Sequence, residues 1–440
     1  MLPSEADDVA DNGKVEGQAG NPGHARAMGG LKMRNGASRV AWVGTLLLLA
    51  VAALASHADA TQLTTLYNFD GAAHGSNPFG GLTLGGSTLY GMDTHGGANS
   101  MGTVFSIPVS GGTPTWTYSF DGAGHGASPW GNLTLGGSTL YGMTYSGGAH
   151  GAGTVFGIPV TGGAPTWTYS FDGVAHGGSP LGGLTLSGSV LYGMTTYGGA
   201  NSIGTVFSIP VTGGTPTTLF NFDGAGHGQI PYGSLTLSGS TLYGMTFGGG
   251  ANSDGTVFSI PVTGGTPTVL YNFDGAAHGA SPYGSLTLGG STLYGMTLYG
   301  GTHGKGTAFS MNTDGTNFQT LLVFNDTNGS NPYGDLTLSG ATLYGMTSGG
   351  GANGGGTVFS MSTDGTNFQT RLSFNGTNGS SPYGDLTLAG GAFYGMTWGG
   401  GTHSDGTVFS LTVPEPATMT LLATGLLGVG GARILRRTKS

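Results

Sequence analysis

The tripeptide Tyr-Gly-Met occurs seven times in this chain, with its tyrosines at 90, 141, 192, 243, 294, 344 and 394. The spacings are 51, 51, 51, 51, 50 and 50 residues. A fixed period near 50 restricts a chain to a propeller, a solenoid or an array of small domains. One unit reads as four strands. "SPWGNLTLGG" (128–137) ends in an alternating apolar run, and "STLYGMT" (138–144) follows a Gly-Gly hairpin signal. "GTVFGIPV" (153–160) is rich in β-branched and aromatic residues. "TWTYSF" (166–171) alternates aromatic and hydroxyl residues. We label these strands a, b, c and d. Strands b and c are apolar on both faces, as strands covered on both sides must be. Strand d is half polar, which suits an outer edge.

The ends of the repeat region decide between architectures. Its first strand is a d strand, "TTLYNF" (64–69), and its last is a c strand, "GTVFSLTV" (406–413). There are seven copies of each strand type, so the first d strand completes the last blade and closes a ring. An open solenoid needs atypical capping repeats, and no unit here looks like a cap. The expected fold is therefore all-β, a seven-bladed β-propeller over 61–413, with a parallel β-helix as runner-up. The 94 glycines lack a three-residue period, which excludes a collagen-like chain.

Charge and cysteine content narrow the function. The formal net charge of the chain is −9. Between Thr61 and Val413 thirteen Asp face only Lys305 and Arg371, and Glu is absent. Nucleic acid is excluded as a partner, because phosphate binding needs clustered bases. Without Cys there is no disulfide, thiol catalysis or Cys-ligated metal.

The two ends read as address labels. Residues 1–32 are polar and read as disordered or as an over-called start, with Met28 or Met33 as the alternative first residue. Residues 33–60 carry Arg34 and Arg39, an apolar run and small residues Ala58 and Ala60 before a cleavage point. This is the pattern of a secretory signal peptide. Residues 414–440 open with Pro414, Glu415 and Pro416 and continue through a short apolar stretch, 417–432. They close with Arg433, Arg436, Arg437 and Lys439. The stretch is shorter than the ~20 residues that span a bilayer comfortably, and its basic end should stay cytoplasmic. This three-part ending resembles the PEP-CTERM sorting signal. The resemblance implies an exosortase-type sorting enzyme as partner, a Gram-negative host that makes exopolysaccharide, and transient anchoring in the inner membrane before display at the cell surface or in the extracellular matrix.

The repeat itself, "LYGMT…GG…GTVFS" preceded by "F-[DN]-G…P-x-G-x-L", is similar to the GloVer tandem repeat over about 64–413. Repeats 6 and 7 follow that pattern best. Repeats 1–5 carry a d–a loop one residue longer, with a histidine. The resemblance implies a surface-exposed repeat protein and brings no established activity.

Along a propeller blade the d–a and b–c loops share one face of the disc, and sites favour loops held by a rigid scaffold. Two sets of residues there are candidates. His74, His125, His176, His227 and His278 recur once per d–a loop, either as a ring of ligating imidazoles or as hydrogen-bonded turn residues copied with the repeat. Metal ligation requires convergence within a few Å, and ring-related copies lie apart, so the turn reading leads. The same holds for Asp70, Asp121, Asp172, Asp223 and Asp274, each before a Gly. The b–c loops carry Tyr145, Tyr197, Phe247, Tyr299 and Trp398, which read as platforms for sugar rings or as packing on a neighbouring blade. Their neighbours His95, Asn99, His150, Asn201, Asn252, Asp254, His303, Lys305 and His403 could add hydrogen bonds. The aromatics after Pro (Phe79, Trp130, Tyr232, Tyr283, Tyr333 and Tyr383) read as core or inter-blade packing.

No catalytic residue, metal or cofactor is expected. The leading function is a non-enzymatic binding or structural module, for exopolysaccharide or another surface protein. The alternative is an exported glycan hydrolase or lyase, which would need one asymmetric pair of carboxylates about 5–9 Å apart.

Overall fold

The computed structural model describes residues 61–413. The expected signal peptide with Ala58 and Ala60, and the expected sorting signal with Pro414, Glu415, Pro416, Arg436 and Arg437, lie outside the described residues. No helix among the described residues is long and apolar enough to cross a membrane.

Seven four-stranded antiparallel sheets make a seven-bladed β-propeller. Blade 2 is typical: a is Thr134–Gly136, b Thr139–Thr144, c Thr154–Pro159 and d Trp167–Ser170. Blade 7 is assembled from both ends of the repeat region. Its a, b and c strands are Thr387–Ala389, Ala392–Thr397 and Thr407–Thr412, and its d strand is Gln62–Asn68. Leu63 pairs with Leu411 and Asn68 with Thr407. The ring therefore closes by a hydrogen-bonded strand, as the strand count required, and the solenoid alternative falls.

Seven apolar cores hold the blades together, one between each pair of neighbours. In the core between blades 1 and 2, Tyr90, Met92, Val104 and Phe120 meet Leu133, Leu140, Phe156 and Ile158, all buried. The two-residue period of a strand generates this split: Tyr90 and Met92 face one neighbour while Leu89 faces the other. The repeated Gly of Tyr-Gly-Met lies opposite a c-strand Phe, as in the Gly142–Phe156 pair. A Cβ on Gly142 would sit 2.6 Å from the Phe156 ring. Only a residue without a side chain lets that Phe lie across strand b.

Asp93 breaks the repeat. Six blades end strand b in a Thr whose hydroxyl meets the Thr opening strand c, at 2.9 Å for Thr144 and Thr154. Blade 1 has Asp93 there, fully buried, accepting from the Thr103 N–H at 3.1 Å and from the Thr103 hydroxyl. Burial pushes its carboxyl well above the usual range, although the Thr103 hydrogen bonds oppose this. A raised acid pKa means stability that is complete below the unfolded-state pKa and declines as pH rises. Asp93→Thr should therefore raise stability by about 0.5–2 kcal/mol near neutral pH, with a smaller gain near pH 4. Urea midpoints at both pH values check this, and an equal or negative change at neutral pH contradicts it.

Candidate functional site

The sequence placed any site on the face formed by the d–a and b–c loops. The centre of that face is aromatic. The residue after each repeat Pro enters the propeller axis just ahead of strand a. Phe79 stacks on Tyr383 with centroids 4.7 Å apart and meets Trp130 at 4.5 Å. Tyr232, Tyr283, Tyr333 and Tyr383 continue the ring at 4.6, 4.8 and 4.6 Å. Leu181 fills the seventh position, and Phe79 also reaches across to Tyr283 at 5.8 Å. The inter-blade packing expected of these rings is thus axial packing, and it plugs the mouth of the channel.

A second set of rings surrounds the plug. Tyr145 packs on Trp130 at 5.9 Å, Phe247 on Tyr232 at 4.8 Å and Trp398 on Tyr383 at 6.1 Å. These three occupy the first position after strand b and lean on the inner ring of their own blade. Tyr197 and Tyr299 occupy the next position, and the Tyr197 hydroxyl bonds to Tyr232 of the adjacent blade. Trp398, Tyr197 and Tyr299 remain 40, 43 and 45% exposed. The five b–c aromatics therefore form one patch with the axial ring. Burial pushes the Tyr232 and Tyr333 hydroxyls up to about 12, so both stay protonated near neutral pH and can donate hydrogen bonds.

The five histidines do not converge. Each ring Nδ1 meets the Asp four residues earlier: Asp70 at 3.0 Å, Asp121 at 2.7 Å, Asp172 at 2.8 Å, Asp223 at 2.7 Å and Asp274 at 2.5 Å. Each backbone N–H of these histidines also donates to the same carboxylate. In the shorter loops of blades 6 and 7 the clasp is made by Asn325 with Asn328 and by Asn375 with Asn378. One clasp replaces the other wherever the period drops to 50, which identifies both as loop closures. Among the described residues no three of His, Cys, Asp or Glu come together as metal ligands. Several presumed hydrogen-bond donors are also committed to the scaffold. Asn99, Asn201 and Asn252 donate to the carbonyls of Phe120, Phe222 and Phe273, and the His403 ring meets the Phe69 carbonyl at 3.1 Å.

Sequence reasoning missed the floor beneath the plug. Two residues after each axial aromatic stand Gly81, Asn132, Gly183, Ser234, Ser285, Asp335 and Asp385, one per blade. They bond around the axis. Gly183 N–H donates to Ser234 Oγ at 2.7 Å, Ser234 N–H to Ser285 Oγ at 2.8 Å, and Asp335 N–H to Asp385 Oδ1 at 2.8 Å. Asn132 Nδ2 reaches the other oxygen of Asp385. Burial, then the neighbouring Asp385 charge, push Asp335 up to about 8, and burial raises Asp385 as well. The cavity these groups line is about 40 Å³, room for a few waters at ~10–15 Å³ each.

The two kinds of aspartate give opposite pH slopes. In the Asp–His clasps partial burial raises the carboxyl, but hydrogen bonds from His outweigh it and hold each Asp below its usual value. Their contribution is present above the unfolded-state value, roughly pH 4, and is lost as pH falls below it. The axial pair is raised, so its contribution declines as pH rises from roughly pH 4 to pH 8. Asp335→Asn should flatten the second slope and leave the first. Urea midpoints from pH 3 to 9 decide, and an unchanged fall between roughly pH 5 and 8 removes the axial pair as its source.

Fold and face together define the class: a propeller built from one repeated blade, with a plugged axis and an aromatic patch on its loop face. The chain belongs to the Gloeobacter/Verrucomicrobia repeat family, whose model matches residues 54–258 and 238–433. No curated protein matches it. Among solved structures it is similar to BamB from Moraxella catarrhalis, at 15% identity and a TM-score of 0.48, covering 80% of this chain and 100% of that one. It is also similar to a putative 6-phosphogluconolactonase from Bacteroides uniformis, at 19% identity and a TM-score of 0.47, covering 72% of this chain and 88% of that one. Likeness at this level carries no argument about activity.

Proposed function

We propose that this protein is an exported, surface-displayed and non-enzymatic module that binds extracellular polysaccharide on its d–a/b–c face. The observation that carries the reading is the aromatic patch. Three exposed rings, Tyr197, Tyr299 and Trp398, surround an axial ring of six aromatics and a leucine. Sugar rings stack an apolar face on such π surfaces, and nearby hydroxyls orient them. The secretory and sorting patterns at the two ends support display outside the cell, with an exosortase-type enzyme as the processing partner.

The alternative, a glycan hydrolase or lyase, has one observation in its favour. Asp335 and Asp385 form an asymmetric acidic pair with raised pKa values. Against it stands the size of the axial cavity, about 40 Å³ between the aromatic ring and these carboxyls, far below the ~300–1,000 Å³ of ligand pockets. A sugar ring does not reach those carboxylates.

The test is co-sedimentation of the full chain with polysaccharide extracted from the producing strain. The chain should bind. Changing Tyr197, Tyr299 and Trp398 together to Ala should weaken binding by more than about tenfold, since each stacked ring contributes ~0.5–1.5 kcal/mol. A folded chain that ignores the polysaccharide overturns the reading.

A further inference from the structure

The seven blades are not equivalent on the aromatic face, and blade 7 differs most. Its d–a loop has the short asparagine clasp, with Gly376 where blade 6 has Asp326. Its b–c loop begins Trp398-Gly399-Gly400-Gly401. An open cleft of about 570 Å³ lies between these two loops, lined by Asn375, Thr377, Ser380, Trp398 and Ser404 together with glycines. This volume is within the range of small-molecule sites.

The lining has a definite chemistry. It contains one exposed indole, one amide and three hydroxyls, and no charged residue. The Ser380 and Ser404 hydroxyls and the Asn375 Nδ2 make no hydrogen bond to another described residue, while Asn375 Oδ1 is held by the Asn378 N–H and the Thr377 hydroxyl. The backbone around them is rigid. Ser380 and Gly399 exchange hydrogen bonds at 2.8 and 3.1 Å, Trp398 N–H donates to Ser381 O at 3.1 Å, and Asn77 Nδ2 donates to Trp398 O at 3.0 Å. The indole is thus presented on a fixed frame beside groups free to bond.

Blade 6 lacks this combination. Ser348 stands where blade 7 has Trp398, and Asp326 of its d–a loop pairs with Lys305 of the blade 5 b–c loop at 3.2 Å. Among the described residues the other base, Arg371, lies within a d strand, Gln369–Ser373, and its Nε donates to Ser360 Oγ at 2.8 Å. An acidic polymer would find aspartates on this face and Lys305 already paired, so charge opposes it.

We infer that the blade 7 cleft is a single sugar subsite for an uncharged pyranose unit of a neutral polysaccharide, with Trp398 as its platform and Asn375, Ser380 and Ser404 as its hydrogen-bonding groups. This deepens the polysaccharide reading above and rests on it. It adds that binding is asymmetric, seated on one blade, and selective against acidic glycans. A platform plus an uncharged polar set is the minimum that separates one sugar face from another.

The experiment measures binding of the full chain, by affinity electrophoresis and tryptophan fluorescence. The probes are the neutral and acidic fractions of the strain's polysaccharide, split on an anion exchanger, and dextran as a neutral reference. The neutral fraction should bind and the acidic fraction should not. Trp398→Ala should lower affinity about tenfold or more, Trp398→Phe should restore most of it, and Tyr197→Ala and Tyr299→Ala should each cost less than Trp398→Ala. Neutral binding that depends on Tyr197 or Tyr299 and ignores Trp398 overturns the cleft while the aromatic-face reading survives. Preference for the acidic fraction overturns the neutral-sugar class alone. Failure of a folded chain to bind any probe overturns both.

Discussion

Gly233→Ala should leave little or no folded protein. The seven segments that converge on the axis, one per blade, touch through one glycine each: Gly80, Gly131, Gly182, Gly233, Gly284, Gly334 and Gly384. A Cβ on Gly233 would fall closer than 3.0 Å to the carbonyl oxygen and carbon of Gly284. The obstacle is backbone of the next blade, so no side chain can rotate away. Each neighbour is held in turn by the one after it, and Gly384 meets Gly80 to complete the circle. Relief would require the whole ring to expand. The Thr hydroxyls that bridge neighbouring blades, such as Thr83 to Leu133 O at 2.6 Å and Thr337 to Leu386 O at 2.6 Å, would lengthen with it. We expect a loss above about 3 kcal/mol, read as a collapsed thermal midpoint or insoluble expression. Gly124→Ala is the control, because its nearest neighbour is an aspartate side chain at 3.3 Å, and it should change stability by less than about 0.5 kcal/mol. A stable, native-like Gly233→Ala variant would contradict the account of the axis.

Phe69→Ala should open the ring at its seam. Phe69 directly follows the N-terminal strand, is fully buried, and donates its N–H to Gly406 O at 3.0 Å. It packs with Leu82, Leu89, Phe105 and Ile107 of blade 1 and with Tyr394, Met396 and Val408 of blade 7. It edges onto Phe105 at 5.4 Å. Emptying such a site costs about 3–5 kcal/mol. Phe222 occupies the matching place between blades 3 and 4 and is equally buried, so Phe222→Ala should cost a similar amount globally. The difference is local. Only at Phe69 does the d strand reach its blade from the far end of the repeat region, with no hairpin turn joining it to its c strand, so hydrogen exchange in Thr407–Thr412 should accelerate in Phe69→Ala and not in Phe222→Ala. Equal protection of that strand in both variants would mean that the seam is no weaker than an ordinary blade junction.

Much of the fold was legible in the sequence because its signals are local. The two-residue alternation of "TWTYSF", the Gly-Gly hairpin before "STLYGMT" and the 50–51-residue period each arise within one blade. Ring closure needed only a count of strand types from the two ends. The loop clasps were half legible: Asp70 and His74 are four residues apart, but a ligating ring and a set of turn closures have the same sequence pattern. The matching asparagines at 325, 328, 375 and 378 were the available clue, since a metal ring would not be replaced by amides at the point where the loop shortens.

What the sequence determined alone was the blade, the number of blades and the face that carries variation. What only the tertiary structure decided was everything at the axis and in the blade 7 cleft. Asp335 and Asp385 are 50 residues apart and look like two copies of one loop residue, yet they bond to each other. Asn132 joins them from 253 residues away. Trp398 gains its cleft from a neighbouring loop that begins 23 residues earlier, at Asn375. A repeat sets what each blade contributes, but rotation about a common axis sets which contributions meet. That convergence is a property of the closed ring and has no signature in any single unit.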